Sequence, residues 1–393
     1  MTSRRTTSRT EGIAMGKELE LADVVRQFLP AFRRKHSLLP SHERALHDIV
    51  HCMTSAMGGG RYRCDNCDET FWSYHGCRNR SCPKCHGRQT AEWLQKRQAE
   101  LLPCPYFHVI ATVPSELHDL FQRHQKILYG LLMQSAARAL CELLADRHYL
   151  GAEPGILALL HTWDTQLLVH PHVHLLVTGG GVDEQGNWRE VPSSGYLVPV
   201  KKLSPMISRR FSETLQKKHP ELHAQIPATV WKREWCSFCK PFGYGSEAVL
   251  NYLARYVFRI AITNARILAM DESNVTLRCK SNRTQKWKTV TLSGVEFLRR
   301  FLQHVLPQGF HKVRYYGHWS PAKRKQQLQV QLLFLLKKAA APAAPAQIAE
   351  LAEEALERSG AEAHEHRVKC PKCQSAQVTC LQQLRRGGHI VQT

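Results

Sequence analysis

Apolar positions near the start of the chain fall at helical spacing. Leu21, Val24, Val25, Phe28 and Leu29 form one face within residues 19–52, and Pro30 is expected to break the helix they predict. A polar helix is predicted from about 87 to 102. A strand follows over Tyr106–Val113, where β-branched and aromatic residues concentrate, and then a long amphipathic helix over 116–147. After that the period shortens. Residues 156–163 and 166–178 read as a hairpin whose second strand ends in Leu175-Leu176-Val177 and runs into the tight turn Gly179-Gly180-Gly181. Short strands around Trp188 and Tyr196 continue it. A basic helix over 203–218, a strand over Val230–Lys240, a helix beginning near Ser246 and a second hairpin over 266–270 and 275–280 complete the pattern. No internal repeat interrupts it. Ala339–Ala346 is a low-complexity linker, with an acidic helix over 347–358 and a cysteine-bearing tail beyond. The mixture predicts an α+β fold with a mainly antiparallel sheet.

Composition adds a partner. The chain has 393 residues, enough for two or three domains, and a formal net charge of +21, which points to an anionic partner and first to nucleic acid. The basic residues cluster. Lys312, Arg314, Lys323, Arg324 and Lys325 lie in an acid-free stretch interleaved with Tyr315, Tyr316 and Trp319, the mixture that neutralises phosphates and stacks bases. A buried strand followed by a solvated basic turn would use the same residues. The N-terminus is polar and basic with no apolar run, and Leu332–Leu336 is too short to span a bilayer, so a cytoplasmic protein with no membrane partner is expected. Fourteen cysteines in such a protein suggest metal ligands rather than disulfides.

The cysteines carry the first chemical signal. Cys64-Asp-Asn-Cys67 and Cys82-Pro-Lys-Cys85 are separated by fourteen residues, a zinc-ribbon spacing in which two tight knuckles each give two thiolates to one tetrahedral Zn²⁺. Four thiolates leave no open position, so this zinc is structural. Cys77, His75 and His86 lie close enough to substitute, and Arg61, Arg63, Arg78, Arg80 and Arg88 around them suggest a module that grips DNA. Cys370-Pro-Lys-Cys373 is half a site that would need His364, His366, Cys380 or a second chain to complete it. Cys236 and Cys239, in a predicted strand, read as core thiols.

The second signal combines histidine and tyrosine. In His170-Pro171-His172-Val173-His174, residues two apart on a strand share a face, so His172 and His174 can hold one metal ion. A hairpin turn near Gln166-Leu167 would set His161 opposite His172 as a third ligand, with Gln166 as the second choice. Tyr252 and Tyr256 share one helical face, and spacing alone reads them as core aromatics. His-x-His on a strand also occurs in barrel-type zinc hydrolases, but no strand–helix alternation follows residue 180.

Taken together, these parts resemble the HUH nucleases, with Val173 as the hydrophobic residue between the histidines. More closely they resemble the two-tyrosine, rolling-circle insertion-sequence transposases of the IS91 type. The likeness covers roughly residues 20–320. It includes the cysteine block, His161-Thr162-Trp163, Tyr252-Leu-Ala-Arg-Tyr256 running into Arg259-Ile-Ala-Ile-Thr-Asn264, and Gly309-Phe310-His311-Lys312-Val313-Arg314-Tyr315-Tyr316-Gly317. Thr263 stands where serine is expected, and Cys236 and Cys239 have no counterpart. The resemblance implies a disordered basic start over 1–18, a helical and zinc-ribbon-like domain over 19–105, an HUH core with flanking helices over 106–320 and a helical or low-complexity tail over 321–393. It implies Tyr252 and Tyr256 as nucleophiles and Mg²⁺ or Mn²⁺ on His172, His174 and His161. Arg255, Arg259, Lys312 and Arg314 would lie on DNA. The expected reaction is nicking and rejoining of single-stranded ends of a mobile element with target DNA through a 5′-phosphotyrosine. A replication initiator or relaxase with the same chemistry, and a non-catalytic zinc DNA-binding protein, are the other readings.

Overall fold

In the computed structural model, which describes residues 19–85, 102–245, 249, 252, 256, 259–281, 284, 286–340, 368–387 and 390–392, the first helix runs straight through its proline. Helix α1 spans Leu21–Lys35 with Pro30 inside it, and α2 spans Pro40–His51. Pro30 removes one backbone bond, but continuing the helix buries Phe32 alongside Val24, Val25 and Phe28, and that burial prevails over the break expected from sequence. Strands β1 (Gly59–Cys64) and β2 (Thr70–Tyr74) form a hairpin, followed by β3 (Pro105–Thr112). The helix expected over 116–147 divides at His124, whose φ of −122° and ψ of 43° are not helical, into α3 (His118–Arg123) and α4 (Gln125–Ala145). Then come β4 (Glu153–Trp163), β5 (Val169–Val182), β6 (Trp188–Glu190), α5 (Val200–Lys218) and β7 (Cys236–Tyr244). Strands β8 (Ile267–Met270), β9 (Asn274–Lys280) and β10 (Trp287–Ser293) form a meander ahead of α6 (Gly294–Leu302). Strand β11 (Val313–Gly317), α7 (Arg324–Ala340), β12 (Val378–Leu384) and β13 (Ile390–Gln392) complete the chain. The expected basic start over 1–18, all but the last residue of the helix over 87–102, the acidic helix, Arg255, His86, Arg88, His364 and His366 lie outside the described residues.

The central sheet is antiparallel and six-stranded, in the order β11-β4-β5-β3-β7 with β6 added on β5. The fold is thus α+β, and the His-Pro-His-Val-His segment lies on its central strand. Alternation sorts the side chains into two faces. Phe107, Val109 and Ala111 of β3, Ile156, Ala158 and Leu160 of β4, and Val173, Leu175 and Val177 of β5 fill the face covered by α4 and α5. Each such burial contributes about 1.5–3 kcal/mol for the larger side chains. Helix α4 is long and apolar enough to cross a membrane, but 67% of its most apolar window is buried inside this core, where a helix that is apolar all round belongs. The opposite face carries Tyr106, Leu157, Leu159 and Leu176, packed with Val249, Tyr252 and Trp319. The site is on that face.

A second core joins α1, α2 and α6 to residues 261–277. A Cβ on Gly294 would fall within 2.1 Å of the Phe28 ring, so glycine is what lets α6 close onto α1. Strands β1 and β2 belong to a four-stranded sheet whose order, β13-β12-β1-β2, brings in the chain's last strands. Of the tail expected over 321–393, the last two strands are therefore part of the N-terminal module: Cys64 pairs with Val378 and Gly59 with Leu384 along β1.

Candidate functional site

Three histidines meet on this second face of the central sheet, His161 and His174 buried and His172 partly so. His161 is the register partner of His172, as the hairpin pattern predicts, and His174 lies opposite Leu159 one step along. One ligand nitrogen from each of His161, His172 and His174 lies within 4.8 Å of the others. Each ring is oriented by a bond from a nitrogen. His172 donates Nδ1–H to the His170 carbonyl at 2.7 Å, which leaves Nε2 as the lone pair. His161 donates Nε2–H to the Tyr256 carbonyl at 2.8 Å, which leaves Nδ1. Nδ1 of His174 shares a proton with Nε2 of His108 at 2.9 Å, and with His174 as donor its Nε2 is free. Burial, followed by the repulsion of the neighbouring rings and Arg259, holds His174 well below the ordinary histidine range. Burial likewise lowers His161 strongly and brings His172 and His108 to about 4. The rings are therefore neutral near pH 7, the form that ligates metal. Three neutral imidazoles without a carboxylate fit a divalent transition ion.

His108 had no signal in the sequence beyond its place in a predicted strand. The pairing of β3 with β5 sets it beside the cluster, and its ring centroid is 5.1 Å from that of His174.

Both tyrosines face this cluster, but not equally. The Tyr256 ring lies 4.5 Å from His174 and 4.6 Å from His108, centroid to centroid, and is half-buried. Tyr252 lies behind it, 5.0 Å from Tyr256 and 5.3 Å from His108. It is wholly buried, its hydroxyl has no hydrogen-bond partner among the described residues, and desolvation raises its pKa well above the usual phenol value. Arg259 is exposed, with its guanidinium 6.0 Å from the Tyr256 centroid.

The other basic residues divide. Arg259, Lys312 and Arg80 line one pocket together with Trp163 and His304. Lys312 is half-buried, and desolvation, then the charge of Arg80, brings its pKa down to about 8. Arg80 itself is tied to the carbonyls of Phe310, Leu306 and Pro307, so the N-terminal module reaches the edge of the site. Arg314 lies elsewhere, 5.1 Å from the Phe310 ring and against Gly130 of α4.

The four cysteines expected to share one ion do not. They divide between two clusters, Cys52–Cys77–Cys82–Cys85 and Cys64–Cys67–Cys370–Cys373, each with its sulfurs within 4.8 Å of one another. The reason lies in the β1–β2 hairpin. Cys64 ends β1, so the first knuckle is carried to the hairpin tip, while Cys77 and Cys82 follow β2 back to its base, where Cys52 leaves α2. Zinc–thiolate bonds of about 2.3 Å imply sulfurs about 3.8 Å apart in a tetrahedron. The Cys52–Cys85 and Cys77–Cys85 separations are 3.4 and 3.6 Å. Sulfurs also accept N–H bonds from Cys77, Arg78 and Asn79, which favour thiolates. A Cβ on Gly76 would meet the Cys85 sulfur at 2.8 Å, so glycine makes room for the knuckle. Cys52 escaped the sequence reading because it has no partner at knuckle spacing.

Two family matches divide the chain in the same way. Residues 24–113 match the family described as "Transposase zinc-binding domain", and residues 155–327 match the one described as "Putative transposase". The chain is 36% identical over 381 residues to the "Putative transposase y4qJ" of Sinorhizobium fredii, covering 92% of this chain and 95% of that protein. It is 30% identical over 283 residues to the "Transposase for insertion sequence element IS801" of Pseudomonas savastanoi pv. phaseolicola, covering 68% of each. The chain belongs to the IS91 family of transposases. No solved structure matches it.

The transposase is a DNA-processing enzyme acting on the DNA of a mobile element, with a zinc-binding domain at its N-terminal end. Zn²⁺ is the cofactor of that domain, and the Cys52–Cys77–Cys82–Cys85 cluster within residues 24–113 fits it. The histidine cluster, both tyrosines and Lys312 fall within 155–327, whereas His108 lies in the stretch matched by the zinc-binding family.

Proposed function

We propose that the transposase nicks and rejoins single-stranded DNA through a 5′-phosphotyrosine, in a rolling-circle type of transposition, with Tyr256 as the first nucleophile. The observation that carries this reading is the Tyr256 ring lying 4.5 Å from that of His174, over a cluster of neutral imidazoles. That is the juxtaposition an HUH site needs. His161, His172 and His174 would hold a divalent ion, and their nitrogen donors suit Mn²⁺ better than Mg²⁺. When bound, such an ion polarises the scissile phosphate.

The protein's own groups do the rest. The Tyr256 oxygen attacks phosphorus, the bond from phosphorus to the 3′ oxygen breaks, and that oxygen takes up a proton as it leaves. The downstream fragment stays on the tyrosine through its 5′ phosphate, in a bond that keeps the energy of the phosphodiester, so rejoining needs no ATP. Arg259 lies close to the ring, where its charge can meet the attacked phosphate. Arg259, Lys312 and Arg80 take neighbouring phosphates in the pocket they line. Tyr252 stands behind as the second nucleophile and must be uncovered before it can attack. The substrate is single-stranded at the cut, because stacking in a duplex would keep the phosphate from a site on a sheet face. The cytoplasm, where free thiols persist, is the compartment this chemistry implies.

The test is an adduct assay with a labelled single-stranded oligonucleotide from an element end, Mn²⁺ or Mg²⁺, and denaturing electrophoresis. Tyr256→Phe removes the first adduct while keeping the ring's packing. Tyr252→Phe leaves the first cleavage and loses full strand transfer. A double variant that still captures DNA would mean that neither tyrosine is the nucleophile.

A further inference from the structure

We propose that the transposase binds a second structural zinc ion, through Cys64 and Cys67 of the N-terminal module and Cys370 and Cys373 of the C-terminal tail, and that this site fastens the tail to the module. The matched zinc-binding family ends at residue 113 and so contains only half of this ligand set. The other half comes from more than 300 residues away: Cys373 is 309 residues beyond Cys64, and Cys370 is 303 beyond Cys67.

Proximity is the first argument. The Cys64–Cys373 and Cys67–Cys370 sulfurs are 3.5 and 3.6 Å apart, close to the edge of about 3.8 Å that a Zn(Cys)₄ tetrahedron requires. Four soft thiolates suit zinc, and they leave no position for a reactant.

The second argument is that the two halves are built alike. In each Cys-x-x-Cys turn the first cysteine's carbonyl accepts the N–H four residues on, from Asp68 to Cys64 and from Gln374 to Cys370, at 3.0 and 2.9 Å. The first cysteine's own N–H then reaches the carbonyl five residues on, Glu69 for Cys64 and Ser375 for Cys370, at 2.9 Å in both. The residue after the second cysteine is left-handed in both, with φ of 56° at Asp68 and 61° at Gln374. Left-handed non-glycine residues carry a strain that needs compensation. Two knuckles so constructed and facing each other aim four sulfurs at one point.

The third argument is that the backbone already brings them together. Strand β12 starts opposite Cys64, Asp65 N–H donates to the Gln377 carbonyl at 3.0 Å, and the Thr379 hydroxyl donates to the Asp65 carboxylate at 2.8 Å. The tail contributes little buried apolar surface of its own, since the side chains of β12 are half-buried or exposed. A strand pair with so little core is marginal in water, and a metal bound across it supplies what packing does not. The proposal is independent of the phosphotyrosine reading.

Metal analysis of the full chain, purified in reducing buffer, tests it. Two zinc ions per chain are expected, and one per chain for the Cys370→Ser/Cys373→Ser variant. One zinc in the unaltered protein would overturn the proposal, as would one zinc with two disulfides by thiol titration. To separate metal loss from misfolding of the variant, the unaltered cysteines are also tested in a full chain carrying a protease site within 341–367. After cleavage the tail fragment should co-elute with the body on size exclusion and separate when a chelator removes zinc. Separation in zinc-replete buffer, or retention after both ions are gone, would overturn the fastening role.

Discussion

The histidine cluster and the thiol clusters of the transposase are organised on opposite principles. The three histidines sit on two adjacent strands whose far face is a closed apolar core, so their positions are set by the backbone ladder alone. The cysteines come from turns and chain ends. The first set lies against the core of α1 and α2, and the second is held at a sheet that buries little. Where packing fixes the ligands, metal binding adds chemistry and little stability. Where it does not, metal binding is a large part of folding.

Removing one ligand from each cluster should break this comparison most widely. Apparent zinc affinities in small thiolate sites correspond to about 10–16 kcal/mol, as much as the whole stability of an ordinary domain, about 5–15 kcal/mol. Cys82→Ser should therefore unfold the N-terminal module, with loss of zinc and of DNA binding, and a chelator should do the same to the native protein. His172→Ala should abolish cleavage and leave the melting temperature within a few degrees. Circular dichroism and DNA binding on the same samples check both. An intact module in Cys82→Ser would show that packing alone holds it.

This contrast also explains what could be read from sequence. His161 was legible because a hairpin's register follows from its own alternation and turn, and β4 and β5 are neighbours in the chain. His108 was not, because nothing local says that β3 lies beside β5 rather than at an edge. The common face of Tyr252 and Tyr256 was legible from their spacing, but the burial that distinguishes Tyr252 depends on His108 and Phe242, from two strands of the central sheet. In the thiol clusters the knuckles were legible and their partners were not. A Cys-x-x-Cys turn advertises half a site, and pairing Cys64 with Cys82 by nearness in sequence fails because a β-hairpin lies between them.

His108 sharpens the comparison at a smaller scale. It touches the cluster only through His174, so it is a positioning residue. His108→Ala should weaken the Mn²⁺ affinity read from cleavage about 10- to 100-fold, as loss of such outer partners commonly does. The shift should appear as a higher Mn²⁺ requirement, recovered in part by excess metal, with the maximal rate less affected. His108→Gln, which keeps an acceptor, should lie between. A fall in maximal rate without any change in metal requirement would reduce His108 to a packing role.

The smallest expected effect lies at the seam between the module and the rest, where α6 closes on α1. Glu296 is held at about 2 by its bonds to Arg299 and then Arg300, at 2.6 and 2.7 Å, against an ordinary value of 4.5. A depressed carboxylate pKa gives stability that is fully present above the ordinary value and is lost as pH falls through the folded value. Here that window runs from about 4.5 down to about 2. The side chain is 29% exposed and both partners lie on its own helix, so solvent screening reduces the contribution to about 1 kcal/mol or less. Glu296→Gln should thus lower the melting temperature by a few degrees at most at pH 7, and the gap between the two proteins should close as pH falls across that window. Thiolate protonation destabilises both proteins alike there, so the difference at each pH isolates this one group. A gap that stays constant to pH 2 would place the effect in the helix's first turn rather than in the ion pairs.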